Sequence, residues 1–146
     1  MNVYGVGAHF PGEKKDLTSK FISNGRFVIG YSEEAHPDYY KTLGSVKTGD
    51  ILFIKSRFMN NKPLTVKAVG IVTDSNISLE NGLEGRKGIK VNWVKDLSDN
   101  PIKVSKDNRN DGSTSTIYLE KDESIINQVL SLLDWNLPKI TRTMYT

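Results

Sequence analysis

Two apolar runs dominate the chain, Ile51–Ile54 and Leu64–Thr73, separated by a polar stretch that closes with Asn60-Asn61-Lys62-Pro63. Gly49-Asp50 opens the first run. Runs rich in β-branched and aromatic residues, bounded by turn formers, predict adjacent and largely buried antiparallel strands. Alternation in the second run puts Val66, Ala68, Gly70 and Val72 on one face, and Thr65, Lys67, Val69, Ile71 and Thr73 on the other. A glycine inside such a strand, here Gly70, marks a bulge, a barrel corner or close approach by another chain or a ligand.

The same reading extends along the chain. Asn2–Val6 predicts a first strand, followed by the loop His9-Phe10-Pro11-Gly12. Asp16 can cap a short helix over Leu17–Ser23, and Asn24-Gly25 supplies a left-handed stop. Arg26–Tyr31 returns as a strand, and Pro37 suits the first position of a helix that Gly44 ends. Asp74–Gly88 reads as a polar connection. Ile89–Val94 alternates as a strand, Ile102–Val104 as a brief edge strand, and Thr116–Leu119 as the last strand. Between the last two, Ser105–Ser115 is polar enough to be an exposed loop. Asp122 or Ser124 then caps a helix over Glu123–Leu133 whose Ile125, Ile126, Val129, Leu132 and Leu133 form an apolar stripe. The tail from Asn136 reads as a loop or late strand.

The order is β-α-β-α, then several strands, then a helix, with no repeat and no linker long enough to divide two domains. The missing helical crossovers after Asp50 argue against a doubly wound parallel sheet. An α+β fold is expected: a partly closed, mainly antiparallel β-barrel with helices at its edges, which limits exposed strand edges.

Composition narrows the functions. At 146 residues, 37% hydrophobic and 25% charged, the chain fits one globular domain. It has no cysteine, which excludes disulfides and thiolate chemistry. No apolar run could span a membrane, and the start, MNVYGVGAHFPGEKKD, lacks the basic-then-apolar signature of a signal peptide, so a cytoplasmic location is expected. The net charge of +3 permits a polyanionic partner without requiring one.

Five stretches together resemble the PUA-like superfamily, in its EVE and YTH branch. They are Asn2–Val6, the FVIGY of Phe27–Tyr31, the VKTGDILFIKS of Val46–Ser56, the LTVKAVGIVTD of Leu64–Asp74 and the IKVNWV of Ile89–Val94. The resemblance covers most of residues 1–133. It implies a PUA-like barrel that reads a flipped, often modified nucleobase in an aromatic pocket. Such a base needs apolar faces to replace lost stacking and polar groups to read its edge. PUA-like domains of this branch also occur beside modification-dependent restriction nucleases, which points by analogy to a modified DNA base.

On that resemblance Phe27, Tyr31 and Trp93 are the candidate stacking residues, with Ser56 and Asp74 reading the base edge. Lys55, Arg57 and Lys67 would hold phosphates, as could Lys62. Each has a structural alternative. Phe27 and Trp93 can be core residues, Tyr31 a rim residue, and Ser56 a loop serine. The lysines and arginine can form a solvated hairpin, and Asp74 can cap a loop. Asp50 is expected to shape its turn by side-chain hydrogen bonds, and Trp135 to seal the core beside Leu132. Gly5 and Gly7 would admit a ligand to the backbone or simply bend the chain.

The expected function is a non-enzymatic reader of DNA or RNA that needs no cofactor. A protein-interaction role, for instance in defence or anti-defence, is the alternative, and a small nucleotide hydrolase a third. The two histidines, His9 and His36, sit in HFP and HPD contexts and do not form paired His-x-Thr/Ser motifs. His36, Asp38 and Glu33-Glu34 could hold a metal, but acids before a helix more often serve its dipole. No Ser-His-Asp order or phosphate-binding glycine loop stands out.

Overall fold

The computed structural model describes residues 1–10, 15–57, 59, 61–80, 83, 86–104 and 111–133. In chain order the elements are β1 (Val3–Gly7), β2 (His9–Phe10), β3 (Lys15–Asp16), α1 (Thr18–Asn24), β4 (Arg26–Val28) and α2 (Pro37–Ser45). There follow β5 (Ile51–Ser56), β6 (Leu64–Glu80), β7 (Arg86–Asp96), β8 (Ile102–Val104), β9 (Ile117–Leu119) and α3 (Glu123–Ser131). Trp135, the tail from Asn136, residues 105–110, Pro11-Gly12 and Asn60 lie outside the described residues.

Seven strands form one mixed, mostly antiparallel sheet in the order β4-β7-β6-β5-β1-β9, with β8 paired to β6. The β1–β5 pair is parallel, with Val3 opposite Ile51 and Gly7 opposite Lys55. Among the described residues the strand path is open, ending at β4 and β9. The sheet is covered on both sides, which explains the unbroken apolar run in β5. Leu52 and Ile54 join one cluster with Phe21, Phe27 and Leu43, beneath α1 and α2. Ile51 and Phe53 join the other with Tyr118, Ile125 and Val129, beneath α3.

The β5–β6 hairpin forms as its pattern predicts, antiparallel with Phe53 opposite Val69. Asp50 shapes the turn that launches it. Its carboxylate accepts from the Lys47 and Asn2 backbone N–H groups, both at 2.9 Å. Simple alternation fails at one point. Lys55 pairs with Val66 but Ile54 with Ala68, leaving Lys67 as an extra residue. That bulge sends Val66 to the α3 side while Ala68 stays on the α1–α2 side. Gly70 is a close-approach point, met by the neighbouring strand β7 and not by another chain or a ligand. A Cβ there would lie 2.7 Å from the Asn92 carbonyl oxygen and 2.8 Å from the Trp93 ring, and the β6–β7 register shifts beside it.

Three expectations need correction. Residues 74–80 and 86–88 are not a connection but a continuation of β6 and β7, paired through Ser78–Gly88 and Glu80–Arg86. The predicted strand over 26–31 stops at Val28; beyond it the Ile29 N–H donates to the Lys87 carbonyl, Arg86 donates to the Gly30 carbonyl and Tyr40 to the Tyr31 carbonyl. Gly25 ends α1 with φ 63°, as Asn24-Gly25 predicts. Asp16 does not cap that helix through the helix N-cap position; it accepts from Thr18 and pairs with Lys67 at 2.7 Å. Asp122 does cap α3, accepting from the Ser124 and Ile125 N–H groups.

Candidate ligand-binding cleft

Parallel strands that end together leave a crevice beyond their C-terminal ends, where α/β sheets commonly bind ligands. β1 and β5 are such a pair. A cleft of about 220 Å³ lies where they finish, between Gly7–His9 and Lys55–Arg57. Tyr31 closes one side and residues 114–116 another. The cleft is held in place by the Gly7 N–H donating to the Thr116 carbonyl at 2.8 Å. Its volume is below the roughly 300–1,000 Å³ of drug-sized sites.

Four residues expected to work together therefore meet: Tyr31, Lys55, Ser56 and Arg57. Tyr31 belongs to an aromatic trio. Its ring meets His36 edge-on at 4.3 Å and Tyr39 at 5.7 Å, while His36 and Tyr39 stack at 4.5 Å with planes 4° apart. Burial, with Tyr39 beside it, pushes the Tyr31 phenol above its ordinary range, so it stays neutral at physiological pH. Ser56 is half-buried at the end of β5.

The two cations are buried, contrary to a solvated hairpin. Lys55 is 5% exposed. Its ammonium donates to the Ser115 carbonyl and sits 5.7 Å from the Tyr118 ring centre. Burial, reinforced by the neighbouring Arg57 charge, lowers its pKa to about 8. Arg57 donates to the Ser113 hydroxyl and to the Lys62 carbonyl at 3.0 Å, and lies 3.5 Å from Asp111. Its guanidinium organises the 111–115 loop rather than offering itself to a phosphate. That loop is accordingly less exposed than its composition predicts, with Ser113 wholly buried.

The remaining candidates lie elsewhere. Phe27 has no exposed surface and packs edge-on against Phe21 at 5.7 Å, so no base can reach it. Because β4 ends at Val28, Phe27 and Tyr31 do not lie on one strand, as the predicted strand Arg26–Tyr31 would place them. Trp93 is half-buried opposite Gly70, with its indole N–H donating to the Arg26 carbonyl at 3.0 Å, and it does not line the cleft. Asp74 accepts from the Asn76 N–H within β6. Lys67 is engaged by Asp16, whose carboxyl burial alone would raise but which the Lys67 and Thr18 hydrogen bonds hold below its ordinary value.

Sequence reading missed His9, residues 114–116 and the His36–Tyr39 stack. The last carried a signal, since the two rings sit three apart at the start of a proline-initiated helix and so share a face. Among the described residues no three His, Asp or Glu side chains gather as a metal site, and no helix is long and apolar enough to cross a membrane. A second hollow, beside β9 and the start of α3, is lined by Asp111, Glu120 and Asp122; its acids suit a polyanion poorly. Comparison with known proteins finds no family model that matches the chain and no match among curated proteins.

Proposed function

We propose that this chain is a PUA-like reader domain that binds nucleic acid by accepting one flipped, modified base into the cleft between β1 and β5. The reading is carried by one observation: Tyr31 and Ser56, singled out from sequence as stacking and base-edge residues, line one cleft together with Lys55, which the resemblance assigns to phosphate. Tyr31 supplies the stacking face, backed by the His36–Tyr39 pair. Ser56 and Lys55 supply hydrogen bonds to the base edge, and Gly7 and Ala8 bring backbone to the other side. The mixed sheet, with helices packed on both of its faces, is the wall of a partly closed barrel in this reading. The activity is binding, without turnover and without a cofactor.

Fluorescence anisotropy with short single-stranded DNA and RNA oligonucleotides, each bearing one unmodified or methylated base, tests it. Tyr31→Ala should weaken binding about 5- to 150-fold, the loss of one stacked base. Trp93→Ala should leave affinity within about twofold while lowering the urea midpoint. Absence of any Tyr31-dependent binding rejects the assignment.

A second reading, a protein-interaction role, draws on Ile77 and Leu79, which stand 41% and 63% exposed on the β6 extension. Loss of co-purifying protein in an Ile77→Ser/Leu79→Ser variant, with no salt-sensitive nucleic-acid affinity in the parent, would favour it.

A further inference from the structure

The charge inside the cleft is unbalanced in an informative way. Among its described lining residues there are two buried cations, Lys55 and Arg57, and no acid. Arg57 has its carboxylate, Asp111. Lys55 does not. Its ammonium carries three N–H donors, and its partners are a neutral carbonyl, that of Ser115, and the face of Tyr118. The other described titratable groups of the cleft are His9, Tyr31 and Arg57; Asp111 lies 3.5 Å from Arg57, and Glu120 accepts from the Tyr118 hydroxyl at 2.9 Å. A lysine buried for structure alone is expected to be paired, because a desolvated charge without a counter-ion is costly.

Resting on the base-reading assignment above, we infer that the cleft selects a base bearing an anionic substituent, chemically a carboxylated pyrimidine, and that Lys55 reads that charge. A carboxylate entering between Tyr31 and Lys55 completes the missing ion pair with an ammonium that is itself buried. It can take the N–H donors that Ser115 leaves over, while the pyrimidine ring lies against Tyr31. A neutral methyl or hydroxymethyl group would leave the ammonium unmatched. The lowered lysine pKa fits this arrangement. An arriving anion favours the charged form, so binding above about pH 8 should take up a proton.

Isothermal titration calorimetry tests the inference on the full chain. The probes are single-stranded DNA oligonucleotides identical except for a central cytosine, 5-methylcytosine, 5-hydroxymethylcytosine or 5-carboxylcytosine. The carboxyl oligonucleotide should bind about tenfold or more tightly than the hydroxymethyl one, the effect of one charge-assisted hydrogen bond. Lys55→Met, with a cooperative melt as its folding control, should erase that preference. Wild-type protein provides a check independent of the variant. Above about pH 8, titrations in buffers of different ionisation enthalpy should show proton uptake with the carboxyl probe and none with the hydroxymethyl probe. Equal affinity for all four probes, each weakened by Tyr31→Ala, overturns this inference and leaves the base-reading assignment standing. No Tyr31-dependent binding to any probe removes both. Inorganic phosphate competing equally against all four would assign the charge to a backbone phosphate and reject the carboxylated base.

Discussion

Gly5 shows how tightly single residues constrain this cleft. A Cβ at that position would lie 2.3 Å from the Tyr118 ring, which is fixed by the Glu120 hydrogen bond and by edge-on packing against Phe53. The glycine admits a tyrosine, not a ligand, and that tyrosine supports Lys55. Gly5→Ala should therefore cost about 1–3 kcal/mol by overpacking, read as a lower urea midpoint with an unchanged slope. Lys55 makes the opposite kind of prediction, since its burial opposes folding. Its folded pKa of about 8 lies below the ordinary 10.5, so between those values the unfolded chain binds more protons and stability rises with pH. Below about pH 8 the burial cost is present in full. The stability of Lys55→Met relative to wild type should thus be most favourable near about pH 7 and decline by about pH 9.5. Urea melts of both proteins at the two pH values check it, and a difference independent of pH would contradict a buried, desolvated ammonium.

At the scale of elements, α3 is the simplest case. Its apolar stripe and its cap were both legible because each is local, and Asp122 accepts from the first-turn N–H groups as such a residue should. Asp122→Ala should destabilise the protein by about 1 kcal/mol in urea unfolding. The β5–β6 hairpin was equally legible, since buried apolar runs and a Gly-Asp turn leave marks in sequence. The ribbon extending β6 and β7 left none. Residues 76–79 are exposed, so no alternation arises, and the pairing rests on backbone bonds and on Arg26, which donates to the Ser78 carbonyl and hydroxyl from under the sheet. Tyr31 was legible as an aromatic worth singling out, but for the wrong reason. It reaches the cleft because the chain leaves the sheet after Val28, not because it continues the strand face of Phe27. Beyond Val28 the backbone is held by long-range contacts such as Arg86 on Gly30, and no local pattern encodes them.

For the molecule as a whole, charge and geometry give different expectations about nucleic acid, and geometry makes the sharper one. A net charge of +3 and a pI near 9.0 would suit a surface that grips many phosphates. Several of the described basic residues are not deployed that way. Arg57 is buried on the 111–115 loop, Lys67 is paired with Asp16, and Lys87 stands 3.6 Å from Glu33. Lys55 is inside the cleft rather than on its rim. A domain built like this should take most of its affinity from the cleft and little from the backbone. Each phosphate neutralised on a single strand contributes about −0.7 to the slope of log affinity against log salt. One or two contacts therefore predict a slope between about −0.7 and −1.4 from about 50 to 200 mM salt. Anisotropy titrations across that range measure it directly. A slope steeper than about −3 would mean that exposed lysines outside the cleft carry the binding, and would move the interface off the ends of β1 and β5.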